Sequence, residues 1–301
     1  MTELEGRLKK LEKRTDKAPE VNVPRDPLEF AALLGVELDP YQRELLILIR
    51  ESTEKREPLR VLINASRQSG KSFICALAAA HFALTTRNGT CVIVSPTLRQ
   101  SGLLFRRVMQ FYNASGRPVP PVAESVHSLK LENGAWVVSL PSNEETIRGI
   151  SSVGLVFFEE AARCSDALYY SVLPMLATVP DSKVIALSTP AGRRGFFYKE
   201  WAEGDNWKRI EVKATECKRI SAEFLTDAHK RLGPYWFRSE FMCSFEANEA
   251  ALFRHEVVSQ CIRDFKPLDS VLDQAFEGAP EEDSDTGEEF EIDELNIDFQ
   301  D

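Results

Sequence analysis

The chain has no C-x-x-C pair, no apolar stretch near the ~20 residues of a membrane span, and no lysine or arginine after Lys266. Cys75, Cys91, Cys164, Cys217, Cys243 and Cys261 lie far apart and mostly inside apolar runs. They read as buried, reduced thiols, which excludes a disulfide framework or a zinc site. His81, His127, His229 and His255 are equally scattered and form no ligand pattern. The opening "MTELEGRLKKLEKRTDK" is too charged for a secretory signal. The expected location is the cytoplasm, with no membrane partner.

The missing basic residues also relocate the charge. The chain carries 37 Lys and Arg against 47 Asp and Glu, a net charge of −10. Fourteen of the acids follow Lys266, so residues 1–266 hold 37 basic against 33 acidic groups, a net of +4. The body is mildly basic and the tail is acidic. Such a body permits contact with DNA without requiring it.

At 301 residues the chain can bury one or two sizeable cores. Residues 1–27 read as a short amphipathic helix, with Leu4, Leu8 and Leu11 at helical spacing, followed by a proline-bearing linker. From residue 28 to 194, apolar runs alternate with helix-length segments. Strands are expected at Val61–Ile63, Cys91–Ser95, Trp136–Leu140, Leu155–Phe158 and Val184–Leu187, with helices at Ser72–Leu84 and Gln100–Tyr112. This alternation predicts an α/β fold with a mainly parallel central sheet flanked by helices.

Residues 195–266 change character: they hold Trp201, Trp207 and Trp236, one strand candidate at Lys208–Val212, and helical patterns at Ser221–Leu232 and Tyr235–Phe241. A small subdomain packed on the sheet is expected there. Residues 267–301 have too little apolar mass and too much like charge to fold alone, so an acidic, disordered tail is expected. Its "FEIDELNIDF" segment interleaves apolar residues with acids, which suits either docking on a partner or plain solvation.

The chemistry concentrates in "VLINASRQSGKSF", residues 61–73, where a buried strand runs into a loop of small and polar residues that opens a helix. That arrangement aims backbone N–H groups at one point and makes an anion site. Ala65, Ser66, Arg67, Gln68, Ser69, Gly70, Lys71 and Ser72 match the spacing of a P-loop NTPase, with Ala65 in place of the first glycine. Gly70 permits close approach to phosphates, Lys71 neutralises the β and γ groups of ATP, and the Ser72 hydroxyl can ligate Mg2+. A second element, "GLVFFEEAAR", ends a buried strand in Glu159 and Glu160, one acid for the magnesium shell and one for the attacking water. Two acids opening a helix would look the same. A third, "VIALSTPAG", ends another strand in Ser188, Thr189 and Pro190, which fits a γ-phosphate sensor or an ordinary turn. Upstream, "LDPYQRELL" offers Tyr41 for stacking on a base and Gln42 for an adenine edge.

In order and spacing, "PYQ", "ASRQSGKS", "LENGAWVVSLPSNEETIRG", "VFFEEAA", "LSTPAGRRGFFY" and "RSEFMCSFEANEAALF" resemble the ATPase domain of the large terminase subunit, the DNA-packaging motor of tailed phages. The likeness runs from about Leu38 to Phe253 and implies further roles. Arg67 stands at an arginine position of the P-loop that reaches the γ-phosphate in cis. Arg148, twelve residues before Glu160, stands at the position of an arginine finger offered in trans to a neighbour. Ser188, Thr189 and Pro190 stand at the motif coupling hydrolysis to movement, and residues 195–266 at the lid subdomain. The implied partners are double-stranded DNA, a portal protein, a small terminase subunit and further copies in a ring. The implied setting is a host cytoplasm, with a phage or prophage origin.

Two departures stand out. Glu159 occupies a position usually held by aspartate, so its carboxylate reaches one methylene further. The 48 residues after Phe253 lack the buried strands that hold a nuclease's carboxylate cluster, so no nuclease activity is expected in this chain and a separate subunit is the expected source of it. A helicase-like or DNA-remodelling ATPase shares the P-loop, the acid pair and the Ser-Thr element. A non-hydrolysing scaffold that binds ATP is a further alternative, opposed by the intact Lys71 and Glu160.

Overall fold

Eight strands line up in one sheet in a computed structural model that describes residues 23–141, 150 and 152–246. In chain order they are β1 (Leu59–Ala65), β2 (Thr90–Ser95), β3 (Pro121–Glu124), β4 (Ser128–Leu131), β5 (Trp136–Pro141), β6 (Val153–Glu159), β7 (Lys183–Ser188) and β8 (Lys208–Val212). Across the sheet the order is β3-β4-β5-β2-β6-β7-β1-β8. The strands from β5 to β8 pair in parallel, while β3 and β4 are antiparallel additions at one edge. Helices α1 (Pro27–Leu33), α2 (Pro40–Lys55), α3 (Lys71–Thr85), α4 (Leu98–Ala114), α5 (Asp166–Val172), α6 (Gly195–Ala202) and α7 (Ala222–Phe241) complete the described part.

Alternation along the central strands divides the core between two faces, because successive side chains leave a strand on opposite sides. Val61 and Ile63, Cys91 and Ile93, Leu155 and Phe157, and Ile185 and Leu187 pack with Phe30, Leu45, Ile74, Leu77 and Phe105 of α1 to α4. Leu62, Val92, Val94, Val156, Phe158, Val184 and Ala186 pack with Leu168, Tyr169, Phe196 and Phe197 of α5 and α6. There the Tyr169 and Phe196 rings stack at 4.4 Å. Strands buried on both faces read as continuous apolar runs, which is why these are visible in the sequence.

Helix starts follow local chemistry. Asp26 accepts from the Leu28 N–H at 2.8 Å with Pro27 opening α1. Gln42 accepts from the Asp39 N–H at 3.0 Å at the start of α2. Thr97, Ser165 and Ser221 cap α4, α5 and α7. The two helical patterns expected after residue 221 belong to α7, which is broken at Gly233 (φ 72°, ψ 168°) just before Pro234. Pro234 brings no N–H to the ladder, so the break falls where the sequence puts it.

The strand expected in a small subdomain is instead part of the main sheet. β8 pairs with β1 from Val61 opposite Lys208 to Ala65 opposite Val212. It is an edge strand covered on one face, with Ile210 and Val212 buried and Lys208, Arg209 and Glu211 exposed. Residues 214–241 build a separate small core from Ala214, Leu225, Ala228 and Phe241. The expected N-terminal helix, the acidic tail, Arg148, Phe253, His255 and Cys261 lie outside the described residues. The other five cysteines are buried and free, as expected. Among the described residues no helix is long and apolar enough to cross a membrane.

Candidate active site

In a parallel sheet the strands' carboxyl ends share one edge, and ligands bind there. β1 delivers the loop 66–70 to this edge, β6 delivers Glu159 and Glu160, and β7, lying between them, delivers Ser188 and Thr189. Three sequence elements that are far apart in the chain thus meet at adjacent strand ends.

The loop is held from behind. Tyr41 donates its hydroxyl proton to the Ser69 carbonyl at 2.8 Å, and Arg219 Nη2 donates to the same oxygen at 2.7 Å. Gln42 Nε2 lies 3.4 Å from the Gly70 carbonyl. In a trans peptide the C=O and the following N–H point in opposite directions. Fixing these carbonyls against α2 therefore turns the N–H groups of Gly70 and Lys71 away, toward the front of the loop. Arg219 in turn pairs with Asp39.

Tyr41 and Gln42 both take part in this bracing. Tyr41 is 6% exposed and Gln42 fully buried, and both have their polar atoms engaged on the loop or on Asp39. Both side chains support the loop from behind. Burial also pushes the Tyr41 phenol well above its ordinary range, so it stays a donor.

Gly70 sits at φ 91°, a left-handed conformation that costs other residues about 1–2 kcal/mol. A Cβ there would lie 2.7 Å from Gln42 Nε2 and 2.9 Å from Arg219 Nη2. Gly70→Ala is expected to displace the two side chains that brace the loop and to weaken nucleotide binding about tenfold or more, since about 1.4 kcal/mol is one decade. Titration with a fluorescent ADP checks this.

Lys71 is almost fully buried, and its ammonium donates to the carbonyls of Ala65 (3.0 Å) and Ser66 (2.9 Å). Burial lowers its pKa, with Glu160 opposing that shift and Arg67 adding to it. Ser69 Oγ closes the loop on the Ser66 carbonyl at 2.8 Å, and Gln68 takes a left-handed turn at φ 62°. Next to the loop, Ser72 Oγ donates to Glu159 Oε1 and Ser95 Oγ donates to Glu159 Oε2 at 3.1 Å. Burial raises the Glu159 pKa, and these two hydroxyls pull it back.

Glu160 turns the chain at φ 51°, ψ 45° and accepts a bond from Arg163 Nη1 at 2.9 Å. Ser188 Oγ accepts from the Ala162 N–H at 3.1 Å, and the Pro190 carbonyl accepts from Ser239 Oγ at 3.3 Å. Arg67 is the outlier of the loop. Its side chain is 60% exposed and paired with Glu240 at 2.6 Å, while its N–H donates to the Glu240 carbonyl at 3.0 Å.

Sequence reading missed Ser95, Arg163, Arg219 and Glu240. Ser95 carried a signal, since it ends an apolar run as Ser188 does. Glu240 carried none, lying 173 residues from Arg67.

A P-loop closed over a buried lysine, with a hydroxyl and two carboxylates beside it on a parallel sheet, defines a P-loop ATPase. The sequence model of the family "Terminase large subunit, T4likevirus-type, N-terminal" matches residues 62–260, well over half of the chain. The chain therefore belongs to the large terminase subunits, and it is an ATPase of the DNA-packaging motor class.

Solved structures agree on the fold. The Thermus phage P74-26 large terminase ATPase domain superposes with a TM-score of 0.61 at 18% identity, covering 72% of this chain and 98% of that one. The HK97 bacteriophage large terminase gives 0.58 at 14% identity, covering 69% and 51%. The large terminase of a thermophilic bacteriophage, in complex with ADP, gives 0.57 at 14%, covering 69% and 54%. This chain spans about half the length of those last two. A search of curated proteins gave no match.

Proposed function

We propose that this chain is a magnesium-dependent motor subunit that hydrolyses ATP to move double-stranded DNA into a viral shell, in the cytoplasm of a host cell. The observation that carries the reading is the meeting of Lys71 and Ser72, after β1, with Glu159 and Glu160, at the end of β6, on one edge of the sheet, where Ser72 bonds Glu159. Of the related proteins, the large terminase of the thermophilic bacteriophage has been crystallised with ADP, which supports a nucleotide at the corresponding loop.

The front-facing N–H groups of Gly70 and Lys71 would cradle the phosphates, and the Lys71 ammonium would exchange the loop's own carbonyls for phosphate oxygens. The Ser72 hydroxyl and the Glu159 carboxylate lie side by side as hard oxygen donors, a set that fits magnesium. Magnesium bound there would neutralise phosphate charge. Glu160 takes the proton of the attacking water on the carboxylate oxygen not engaged by Arg163. Arg67, on leaving Glu240, would face the γ-phosphate in cis, and Arg148 would serve a neighbouring subunit in trans. The implied assembly is a ring of copies on a portal protein, with a small terminase subunit. Residues 28–194 act as the ATPase core and residues 195–266 as the lid that communicates with it.

Contact with DNA would be electrostatic and independent of sequence, because a translocating motor must pass every base. Arg193 and Arg194, after the coupling strand, and Arg106 and Arg107 on α4 are the proposed contacts. Arg193 Nε also donates to the Phe245 carbonyl at 3.0 Å. Linear double-stranded DNA is expected to raise ATP turnover, and Arg193→Glu with Arg194→Glu to remove that increase. Turnover indifferent to DNA would sink the coupling, and stimulation that survives the double reversal would dismiss this pair.

A further inference from the structure

Arg163 lies at a junction that no sequence motif marks. Its Nη1 is 2.9 Å from Glu160 Oε2 and 3.0 Å from Thr189 Oγ1, and its Nη2 is 3.7 Å from Glu240 Oε1. The other Glu240 oxygen receives Arg67 Nε at 2.6 Å. One guanidinium therefore connects the acid that faces the attacking water, the end of β7, and the α7 residue that holds the P-loop arginine. The Thr189 side is buried and Glu240 is 13% exposed, so part of this network is shielded from bulk water.

The direction of Glu160 needs such a support. Its left-handed backbone places it outside any helix that could orient it, and non-glycine residues rarely adopt that conformation. Among the described residues, its Oε1 has no hydrogen-bond partner while its Oε2 is held by Arg163. The fork thus fixes the carboxylate through one oxygen and leaves the other for the water. A lysine could not reproduce this, since its single ammonium lacks the planar fork that reaches several acceptors at once.

We infer that Arg163 is a positioning residue for hydrolysis: it orients Glu160 for the attacking water and ties that orientation, through Thr189, to the end of β7. The inference rests on the reading of Glu160 as the water-activating acid. Arg163 acts through Glu160 and not on the nucleotide, so it governs kcat and leaves nucleotide affinity alone. A phosphate-binding arginine would do the reverse.

The test uses the full chain with linear double-stranded DNA, comparing wild type with Arg163→Ala, Arg163→Lys, Glu160→Ala and the double variant Arg163→Ala/Glu160→Ala. Turnover and the Kd of a fluorescent ADP are measured for each. Arg163→Ala is expected to lower kcat between about 10- and 10²-fold, the scale on which misplacing a reacting group acts, with KM and Kd retained. Arg163→Lys is expected to remain nearer to alanine than to wild type. The double variant should be no slower than Glu160→Ala alone, because Arg163 has nothing left to orient.

A wild-type kcat in Arg163→Ala, a loss carried by KM or Kd, or losses that multiply in the double variant would each overturn the inference. If Arg163→Ala fails to bind ADP because it does not fold, the lysine variant carries the same comparison. Wild-type turnover indifferent to Glu160→Ala overturns the assignment of Glu160, and this inference with it. Turnover that needs Glu160 but not Arg163 overturns this inference alone.

Discussion

Replacing Glu160 with alanine is expected to lower ATP turnover by about 10²–10⁴-fold, the contribution of a positioned general base, with ADP affinity unchanged. A loss of about 10³-fold corresponds to about 4 kcal/mol of barrier. Nothing else in the described site matches this carboxylate. Glu159 is buried, and both its oxygens are engaged by Ser72 and Ser95. Glu160 is one-quarter exposed and engaged through one oxygen only. Glu160→Gln sharpens the test. The amide can still accept from Arg163 but cannot take a proton, so it should be as inactive as alanine. A glutamine variant with near-wild-type turnover would show that Glu160 only orients the water.

Lys71→Ala should damage both binding and turnover. The ammonium sits inside the loop, bonded to the Ala65 and Ser66 carbonyls, at the place where phosphate charge would arrive. Removing a preorganised donor from a water-excluded site costs about 10²–10³-fold in turnover. ADP affinity should fall as well, since the charge also serves the ground state. The fold should survive, because desolvating an ammonium costs stability on its own. A Tm near that of wild type, together with lost ADP binding, is the expected pair of results. Retained binding would remove Lys71 from the phosphate site.

The central architecture is legible because fully buried strands announce themselves. β1, β2, β5, β6 and β7 each contain the apolar run that predicts them, and the loop, the acid pair and the Ser-Thr element sit at strand ends as their order implies. The edge strands are harder. β3 exposes three of its four residues and β4 buries only Leu129 and Leu131, so neither presents an apolar run. The pattern of β8 marks it as a strand, but nothing in that pattern says that β1 is its partner. Tyr41 and Gln42 stand out as nucleotide-related by their residue types. Only the packing of α2 against the loop reveals that they act on its carbonyls. The ties from Glu240 to Arg67 and Arg163 join residues from distant parts of the described chain, and such ties leave no local signature.

The interruption of α7 at Gly233 and Pro234 has a mechanical consequence. An unbroken rod from Ala222 to Phe241 would carry any push at one end to the other. With no helical hydrogen bond from Pro234 and a non-helical Gly233, bending stiffness drops at that point. The last turns, anchored by Ser239 to Pro190 and by Glu240 to Arg67, are geared to the sheet. The turns before the break fold back on those last turns, with Leu225 and Ala228 packed against Phe241 and the Phe224 and Phe241 rings 5.9 Å apart, so the bend at Gly233 lets one helix supply both walls of the same small core.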